Sequence, residues 1–201
     1  MIQSLLQINI PIVLASQSPR RRKLLEILGL KFSVEPADIN EDILPNELPI
    51  EHSIRIAKEK GLKIASKYNQ KVLIISADTI VVIDDQILSK PKNTNEAFNF
   101  LRLLSGRSHF VFTSFFIYET ISNKNRIHTE KTEVYFRKLD EAEIRAYIST
   151  GSPLDKAGAY GIQDDFGAVF VEKIIGCYYN VVGLPLQSLY LSLKQFDNNK
   201  K

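Results

Sequence analysis

Hydrophobic residues along the chain form two kinds of segment, short apolar runs and longer stretches with helical spacing. The run Ile12–Leu14 predicts a short core strand, and the spacing from Pro49 to Tyr68 predicts a helix. The most apolar segment, Val72–Ile83, predicts a buried strand that bends or pairs near its middle. The other predictions are strands at 31–34, 109–118, 127–136, 170–175 and 179–182, and helices at 95–104, 139–149 and 185–196.

The segment after the first strand carries the signals of a helix start and a helix end. Ser18 followed by Pro19 is typical of an N-cap and a first helical position, and Gly29 fits a left-handed C-cap. The prediction is a helix from Pro19 to Leu28. Its spacing puts Arg21 on the face that packs against the rest of the protein.

The first turn of this helix contains three arginines, although the positive end of the helix dipole also lies there. A bound anion would remove the resulting penalty. Free backbone N–H groups, the hydroxyls of Ser16 and Ser18 and the guanidinium groups of Arg20 and Arg21 therefore suggest a phosphate-binding turn. The alternative is a capped amphipathic helix whose arginines are solvated.

Asp78 interrupts the apolar segment VLIISADTIVVI. A carboxylate buried there costs several kcal/mol unless it is paired, hydrogen-bonded or bound to a metal ion. The structural alternative is an Asx-type turn made with Thr79. In the preceding helix Lys58 and Lys60 both flank the apolar stripe, so periodicity leaves open which of them points inward.

The segment Gly151–Gln163, GSPLDKAGAYGIQ, is rich in glycine and alanine and describes a tight loop. Such loops let the backbone approach a ligand closely. The polar groups that this loop could present are Asp155, Lys156 and Gln163.

Composition bounds the class of protein. The 201 residues predict one domain, or one domain of two lobes, and a hydrophobic content of 44% with 24% charged residues is ordinary for a globular protein. Disorder is expected only in the polar tail Asp197–Lys201. A net charge of +3 is too small to indicate general nucleic-acid binding, although a basic cluster could hold one phosphorylated ligand.

The single cysteine, Cys177, rules out an internal disulfide framework and fits a reducing compartment. The first residues lack a basic n-region and are too short to span a bilayer, so we expect a cytoplasmic protein without a membrane segment. His109 is interpreted as a strand-edge side chain, and no second His or Cys lies at zinc-ligand spacing. P-loop, GxGxxG and Gly-x-Ser-x-Gly motifs are also absent.

Six sequence blocks occur in order: LASQSPRRRKLL, SADTIVV, ILSKP, LSGRSHFVFT, DKAGAYGIQ and NVVGLPL. Together they resemble the Maf family of nucleoside-triphosphate pyrophosphatases, and the resemblance covers nearly the whole chain. It implies a single domain over residues 1–201 with an α/β fold of the Maf and inosine-triphosphatase type. That fold is a mixed, curved sheet flanked by helices, in two lobes with a central cleft.

The resemblance also implies cleavage of a nucleoside triphosphate to the monophosphate and pyrophosphate. The DKAGAYGIQ block resembles the branch that acts on dTTP and UTP, which would clear non-standard or excess pyrimidine nucleotides. The alternatives are a pyrophosphatase for modified purine nucleotides such as 7-methyl-GTP, and a non-catalytic regulator of cell division or nucleic-acid binder. The expected partner is the nucleotide, without a membrane or stable nucleic-acid complex, and a homodimer is one assembly to test.

The resemblance assigns the family's functional roles to the residues of this sequence that match its motifs. The resemblance implies substrate binding by Ser16, Arg20, Arg21, Lys60 and Lys90. It implies base selection by Arg20, Thr79 and Gln163. It gives Asp78 the role of proton acceptor and matches Glu41 to the family's acidic-loop glutamate. The carboxylates of Glu41 and Asp78 could hold a divalent cation, Mg²⁺ or Mn²⁺, so the residue pattern leaves open whether Asp78 is the base, a metal ligand or both. The choice of Lys60 over Lys58 comes from the resemblance alone.

The chain departs from the family pattern at four places. Ser89 replaces the glycine often found before Lys-Pro, and Ser114 replaces a common glycine after the Val-x-Thr strand. Ser152 stands where a glutamate is frequent. Asp164 and Asp165 replace a glycine after Gln163, which changes the loop beside the expected base pocket.

Overall fold

The computed structural model describes residues 5–6 and 8–197. The strands of this part of the chain are β1 (Ile12–Leu14), β2 (Ser33–Val34), β3 (Leu73–Ile83), β4 (Gln86–Leu88), β5 (Ser108–Glu119), β6 (Asn125–Phe136) and β7 (Val171–Ile175). They form one sheet in the order β2-β1-β3-β5-β6-β7, and β4 pairs with β3. Because β1 is parallel to both neighbours whereas β3–β4 and β6–β7 are antiparallel, the sheet is mixed.

Helices alternate with these strands and flank the sheet, which confirms the α/β fold expected from the sequence. They are α1 (Pro19–Ile27), α2 (Pro49–Ala65), α3 (Thr94–Leu104), α4 (Glu141–Ser149), α5 (Asp165–Phe170), α6 (Tyr178–Val182) and α7 (Leu186–Asp197). Two short 3₁₀ helices, Ser152–Asp155 and Ala157–Ala159, precede α5. None of the described helices is long and apolar enough to cross a bilayer. The predicted polar tail lies outside the described residues beyond Asp197.

The predicted strand at 179–182 is wrong, because this segment forms the short helix α6. Tyrosine and valine favour strands, but such propensities yield to tertiary contacts. Asn180 is fully buried in α6, and its Nδ2 donates to the carbonyl of Val111 at 3.0 Å and to Thr132 Oγ1 at 2.9 Å. Helix α5 was not predicted at all.

The signals that bound α1 are confirmed. Ser18 Oγ accepts a hydrogen bond from the backbone N–H of Arg21 at 3.3 Å, and Pro19 is the first helical residue. Gly29 has a φ of +62°, a left-handed conformation that glycine adopts without steric cost. The helix therefore begins at the predicted residue and ends at Ile27, one residue earlier than predicted.

The chain divides into two compact units, and β3, β5 and β6 contribute residues to both. Unit 1 comprises the described residues of Met1–Asp78, Thr113–Glu130 and Gly183–Lys201, and unit 2 comprises Thr79–Phe112 and Lys131–Val182. The cores of both units contain strand side chains. One core cluster of unit 1 contains Val13, Ala15, Ala37, Ile64, Ala65, Val72 and Ile74.

In unit 1, helix α2 lies unusually close to the strands. A Cβ atom on Gly61 would stand 2.7 Å from Phe116 Cδ1 and 2.7 Å from Ser76 Oγ. Ser76 Oγ also donates to the carbonyl of Ala57 at 2.6 Å, which fixes the helix on β3. The predicted stripe is buried at Ala57, Gly61 and Ile64.

The predicted stripe of α2 is wrong at its first position, since Ile50 is exposed. The first turns bury Ser53 instead, whose Oγ lies 2.7 Å from Ser114 Oγ on β5. Ser114 Oγ lies in turn 2.8 Å from Thr129 Oγ1 on β6. At Ser53 the buried contact of α2 is therefore a chain of three hydroxyl groups.

In unit 2, a core cluster joins Ile80, Val82 and Phe112, with Ile87 and Phe110 packed against it. A second, aromatic group surrounds His109, which packs edge-on against Phe136. His109 is 1% exposed, so its interpretation as a strand-edge side chain is wrong. Its Nε2 lies 2.7 Å from Tyr160 Oη, whereas Nδ1 has no hydrogen-bond partner among the described residues.

This histidine makes the stability of the protein sensitive to acid. Burial lowers the pKa of His109 to about 3 from an ordinary 6.5. Below pH 6.5 the unfolded chain binds a proton that the folded protein excludes, so stability falls as the pH is lowered towards 3. We expect His109 to account for about 2 kcal/mol of lost unfolding free energy between pH 8 and pH 5.

Urea unfolding of wild type and His109→Gln at these two pH values measures the effect. The variant should be less sensitive to acid than the wild type, whatever its stability at pH 8. His128→Gln, at a more exposed histidine on β6, is the control. An unchanged difference between the two pH values in His109→Gln would show that His109 does not carry the effect.

Candidate functional site

The turn between β1 and α1 is built by its own serine side chains. Ser16 is buried, and its Oγ accepts a hydrogen bond from the backbone N–H of Ser18 at 3.1 Å. Ser18 Oγ in turn caps the helix through Arg21 N. A hydroxyl that accepts one hydrogen bond can still donate its own proton. The Ser16 hydroxyl can therefore donate a hydrogen bond to an anionic oxygen.

Arg21 points inward, as its helical position predicted. Its Nε donates to the carbonyl of Gly183 at 2.9 Å, and its Nη1 donates to the carbonyl of Ala77 at 2.8 Å. Burial lowers the pKa of Arg21, while the neighbouring carboxylates of Asp78 and Glu41 oppose that shift. The guanidinium stays charged at physiological pH and ties the start of α1 to β3.

Asp78, Lys60 and Glu41 form one charged cluster in unit 1. Lys60 Nζ lies 2.9 Å from Asp78 Oδ1 and 3.0 Å from Glu41 Oε1. The side chains of Lys60 and Asp78 are 10% and 9% exposed, whereas that of Glu41 is 45% exposed. The buried carboxylate is thus paired, and the pairing offsets the cost of its burial.

The residue pattern left two questions open: whether Asp78 forms an Asx turn, and which of Lys58 and Lys60 points inward. The structure answers both. Asp78 and Thr79 lie within the uninterrupted strand β3, so the Asx-turn interpretation is wrong. Lys60 is buried on α2, while Lys58 is only partly buried. The inward lysine is therefore Lys60.

The cluster also bears on the expected divalent cation. Within the described residues there is no group of three or more His, Cys, Asp or Glu side chains that could hold a metal ion. Two carboxylates, those of Asp78 and Glu41, nevertheless converge on a single cationic atom. Mg²⁺ is commonly bound by one or two carboxylates together with water and substrate phosphates, so this donor set fits such an ion.

Arg20 is partly buried in the first turn of α1, in unit 1, and the other predicted site residues belong to unit 2. Thr79 follows Asp78 on β3 and is partly buried, and Lys90 is exposed in the segment after β4. Gln163 is partly buried in a turn closed by a hydrogen bond from Asp164 N to the carbonyl of Gly161 at 3.1 Å. Its Nε2 is buried and lacks a hydrogen-bond partner among the described residues.

Lys156 is the residue whose importance the sequence did not reveal. The sequence indicated only a polar group that the loop could present, but the side chain of Lys156 is 7% exposed and surrounded by oxygens of Ser152, Asp155 and Asp164. The two aspartates in the surrounding sequence, at 155 and 164, were the only signal of such pairing. Sequence alone does not show that they reach the same lysine.

The fold is that of an α/β protein with a mixed sheet, and it is shared by a known structure. The chain is similar to a HAM1 protein from Coxiella burnetii, with a TM-score of 0.50 and 16% identity. The match covers 92% of this chain and 99% of that one. At this identity the similarity concerns the fold alone.

Sequence similarity is closer. The chain is 47% identical over 186 residues to the dTTP/UTP pyrophosphatase of Syntrophomonas wolfei, covering 92% of this chain and 97% of that protein. It is 43% identical over 190 residues to the dTTP/UTP pyrophosphatase of Salinibacter ruber, covering 94% and 93%. The Maf-like protein profile matches residues 11–196, and the chain therefore belongs to the Maf-like protein family.

Proposed function

We propose that this protein hydrolyses dTTP and UTP to the monophosphate and pyrophosphate. The observation that carries the proposal is the buried Asp78–Lys60 pair with Glu41, in the same unit as the arginine-rich start of α1. Such a cluster combines a group able to accept a proton with cations suited to a polyphosphate. Relatives at 43–47% identity that bear the name dTTP/UTP pyrophosphatase support this choice of substrate.

In this proposal the triphosphate is bound by the start of α1 and by cationic side chains. The α1 backbone N–H groups and the helix dipole favour an anion at that end. Cations can neutralise the charge that develops on the leaving pyrophosphate. The proposed ligands of the phosphates are Ser16, Arg20, Arg21, Lys60 and Lys90.

Asp78 is the proposed proton acceptor. A water molecule attacks the α-phosphorus, and its proton passes to the Asp78 carboxylate. The bond from the α-phosphorus to the bridging oxygen breaks, and the electron pair leaves with pyrophosphate. The contact with Lys60 keeps the carboxylate in one position.

Glu41 and Asp78 are the proposed ligands of a divalent cation, Mg²⁺ or Mn²⁺. When bound, such an ion supplies Lewis-acid polarisation of the phosphoryl oxygens and charge neutralisation. Lys60 contacts both carboxylates, so its ammonium has to yield contacts to any ion that shares them. The half-exposed Glu41 can move more readily than the buried Asp78.

Base selection is the proposed role of Arg20, Thr79 and Gln163. The buried Gln163 Nε2 supports this role, because a donor without a partner is costly until an acceptor oxygen meets it. Thymine and uracil offer carbonyl oxygens as such acceptors.

A nucleotide panel tests the proposal. We expect pyrophosphate and monophosphate from dTTP and UTP in the presence of Mg²⁺ or Mn²⁺, and negligible turnover in excess chelator. Full activity in chelator, or orthophosphate as the sole product, would contradict the proposed chemistry. Preferential cleavage of 7-methyl-GTP would favour the purine alternative, and no hydrolysis of any nucleotide would favour a non-catalytic regulator.

The proposed setting is the cytoplasm, where excess or non-standard pyrimidine nucleotides would be removed. The presence of one cysteine, Cys177, supports a reducing compartment.

A further inference from the structure

The loop that carries Gln163 is organised around a buried lysine. Lys156 Nζ donates to the carbonyl of Ser152 at 2.6 Å and lies 3.1 Å from Ser152 Oγ. It also lies 2.7 Å from Asp155 Oδ1 and 3.2 Å from Asp164 Oδ2. Four oxygens thus converge on one ammonium, and three residues of the loop are held at fixed distances from it.

The contact with Asp164 is unusual for the position of that residue. Asp164 is the N-cap residue of α5, where an aspartate normally accepts a hydrogen bond from the first helical turn. Here its side chain makes no capping hydrogen bond, and its carboxylate faces Lys156 instead. The chain therefore forgoes a helix cap in favour of the loop contact.

The lysine stem also packs against the turn that contains Gln163. The turn runs from Gly161 to Asp164 and is closed by the Asp164 N to Gly161 O hydrogen bond of 3.1 Å. A Cβ atom on Gly161 would lie 2.7 Å from Lys156 Cε and 2.6 Å from Asp164 Oδ2. Lys156 therefore contacts one end of the turn by packing and the other end by charge.

We propose that Lys156, acting through Asp164, is a positioning residue that sets the orientation of Gln163 and thereby the base selectivity. Gln163 lies between the two anchored ends of the turn, and its buried Nε2 has no partner among the described residues. If the Gln163 amide donor is held in one position, it can bind a base that has an acceptor there and reject a base that has a donor there. The inference rests on the proposed function, because only a nucleotide-hydrolysing enzyme would bring a nucleobase to Gln163.

The anchor depends on the Asp164 carboxylate, which lies 3.2 Å from Lys156 Nζ. Loss of the anchor should loosen the turn without touching Asp78 or Lys60. The expected defect is therefore in base selection and KM rather than in kcat.

Steady-state kinetics with dTTP and dCTP test the inference, because these two nucleotides have the same sugar and triphosphate. At position 4 thymine has a carbonyl acceptor and cytosine an amino donor. We expect Lys156→Met and Asp164→Asn to lower the ratio of kcat/KM for dTTP over dCTP by about three- to tenfold, as expected for one misplaced hydrogen bond. Gln163→Ala gives the ratio without the donor, and Glu141→Gln, in an exposed ion pair on α4, is the matched control.

Hydrogen exchange provides a second readout that requires no turnover. The Asp164 amide, measured by NMR, should exchange at least tenfold faster in Lys156→Met than in wild type, whereas amides of α2 should be unaffected. If Lys156→Met fails to fold, Asp164→Asn carries the test, because it leaves the contacts of Lys156 with Ser152 and Asp155 in place.

The outcomes separate this inference from the proposed function. A wild-type protein that does not hydrolyse dTTP would contradict the function, while the exchange experiment would still test the anchoring of the turn. A wild type that prefers dTTP, with variants that keep both its selectivity ratio and its exchange rate, would overturn the positioning role alone.

Discussion

Replacement of Asp78 by asparagine is expected to lower the turnover of dTTP by about two to four powers of ten and to leave the fold intact. The amide has nearly the same shape as the carboxylate, but it cannot accept a proton from water. It also weakens the proposed metal site, which would add to the loss. The fold should persist because Lys60 retains its contact with Glu41 at 3.0 Å.

Turnover numbers and thermal melts of the purified proteins measure this effect. Asp84→Asn is the matched control, since Asp84 is an exposed aspartate that pairs with Arg107 in unit 2. Its left-handed φ of +49° is one that asparagine also adopts. An Asp78→Asn variant within tenfold of wild-type turnover would reduce Asp78 to a structural residue.

Replacement of Lys60 by methionine is expected to destabilise the protein by about 3 kcal/mol. Breaking a buried ion pair from one side leaves the other charge without compensation, which costs far more than the pair contributes. Here the stranded group is the Asp78 carboxylate, which is 9% exposed. Adding Asp78→Asn removes that charge, so the double variant should regain most of the lost stability.

Urea unfolding of the wild type, both single variants and the double variant gives the coupling free energy between Lys60 and Asp78. Lys58→Met is the control, because Lys58 lies on the same helix and is only partly buried. Additive effects of the two substitutions would mean that the ion pair is not the source of the destabilisation.

The turn before α1 and the ends of that helix could be predicted from sequence because nearby residues determine them. Ser18, Pro19 and Gly29 set the ends of α1 by hydrogen-bonding capacity and backbone preference, and both act within a few residues. Helical geometry then decides that Arg21 faces inward. Likewise, the apolar residues around Asp78 were enough to require a partner for its carboxylate.

The identity of that partner depends on tertiary structure. Lys58 and Lys60 are equivalent in the periodicity of α2, and the close approach of Gly61 to Phe116 helps to decide how the helix lies on the strands. Helix α6 was missed because the buried amide of Asn180 overrides local strand preference. Contacts with residues distant in sequence determine both the inward lysine and the helical conformation of α6. A local sequence pattern therefore cannot predict either one.

The hydroxyl chain in unit 1 has an evolutionary consequence. Ser114 Oγ lies within hydrogen-bond distance of the hydroxyls of both Ser53 and Thr129. A buried hydroxyl without a partner costs about 1–3 kcal/mol, whereas glycine imposes no such demand. Serine at 114 and hydroxyl residues at 53 and 129 should therefore co-vary among homologues, and any homologue with glycine at 114 would be free to have apolar residues at the other two positions.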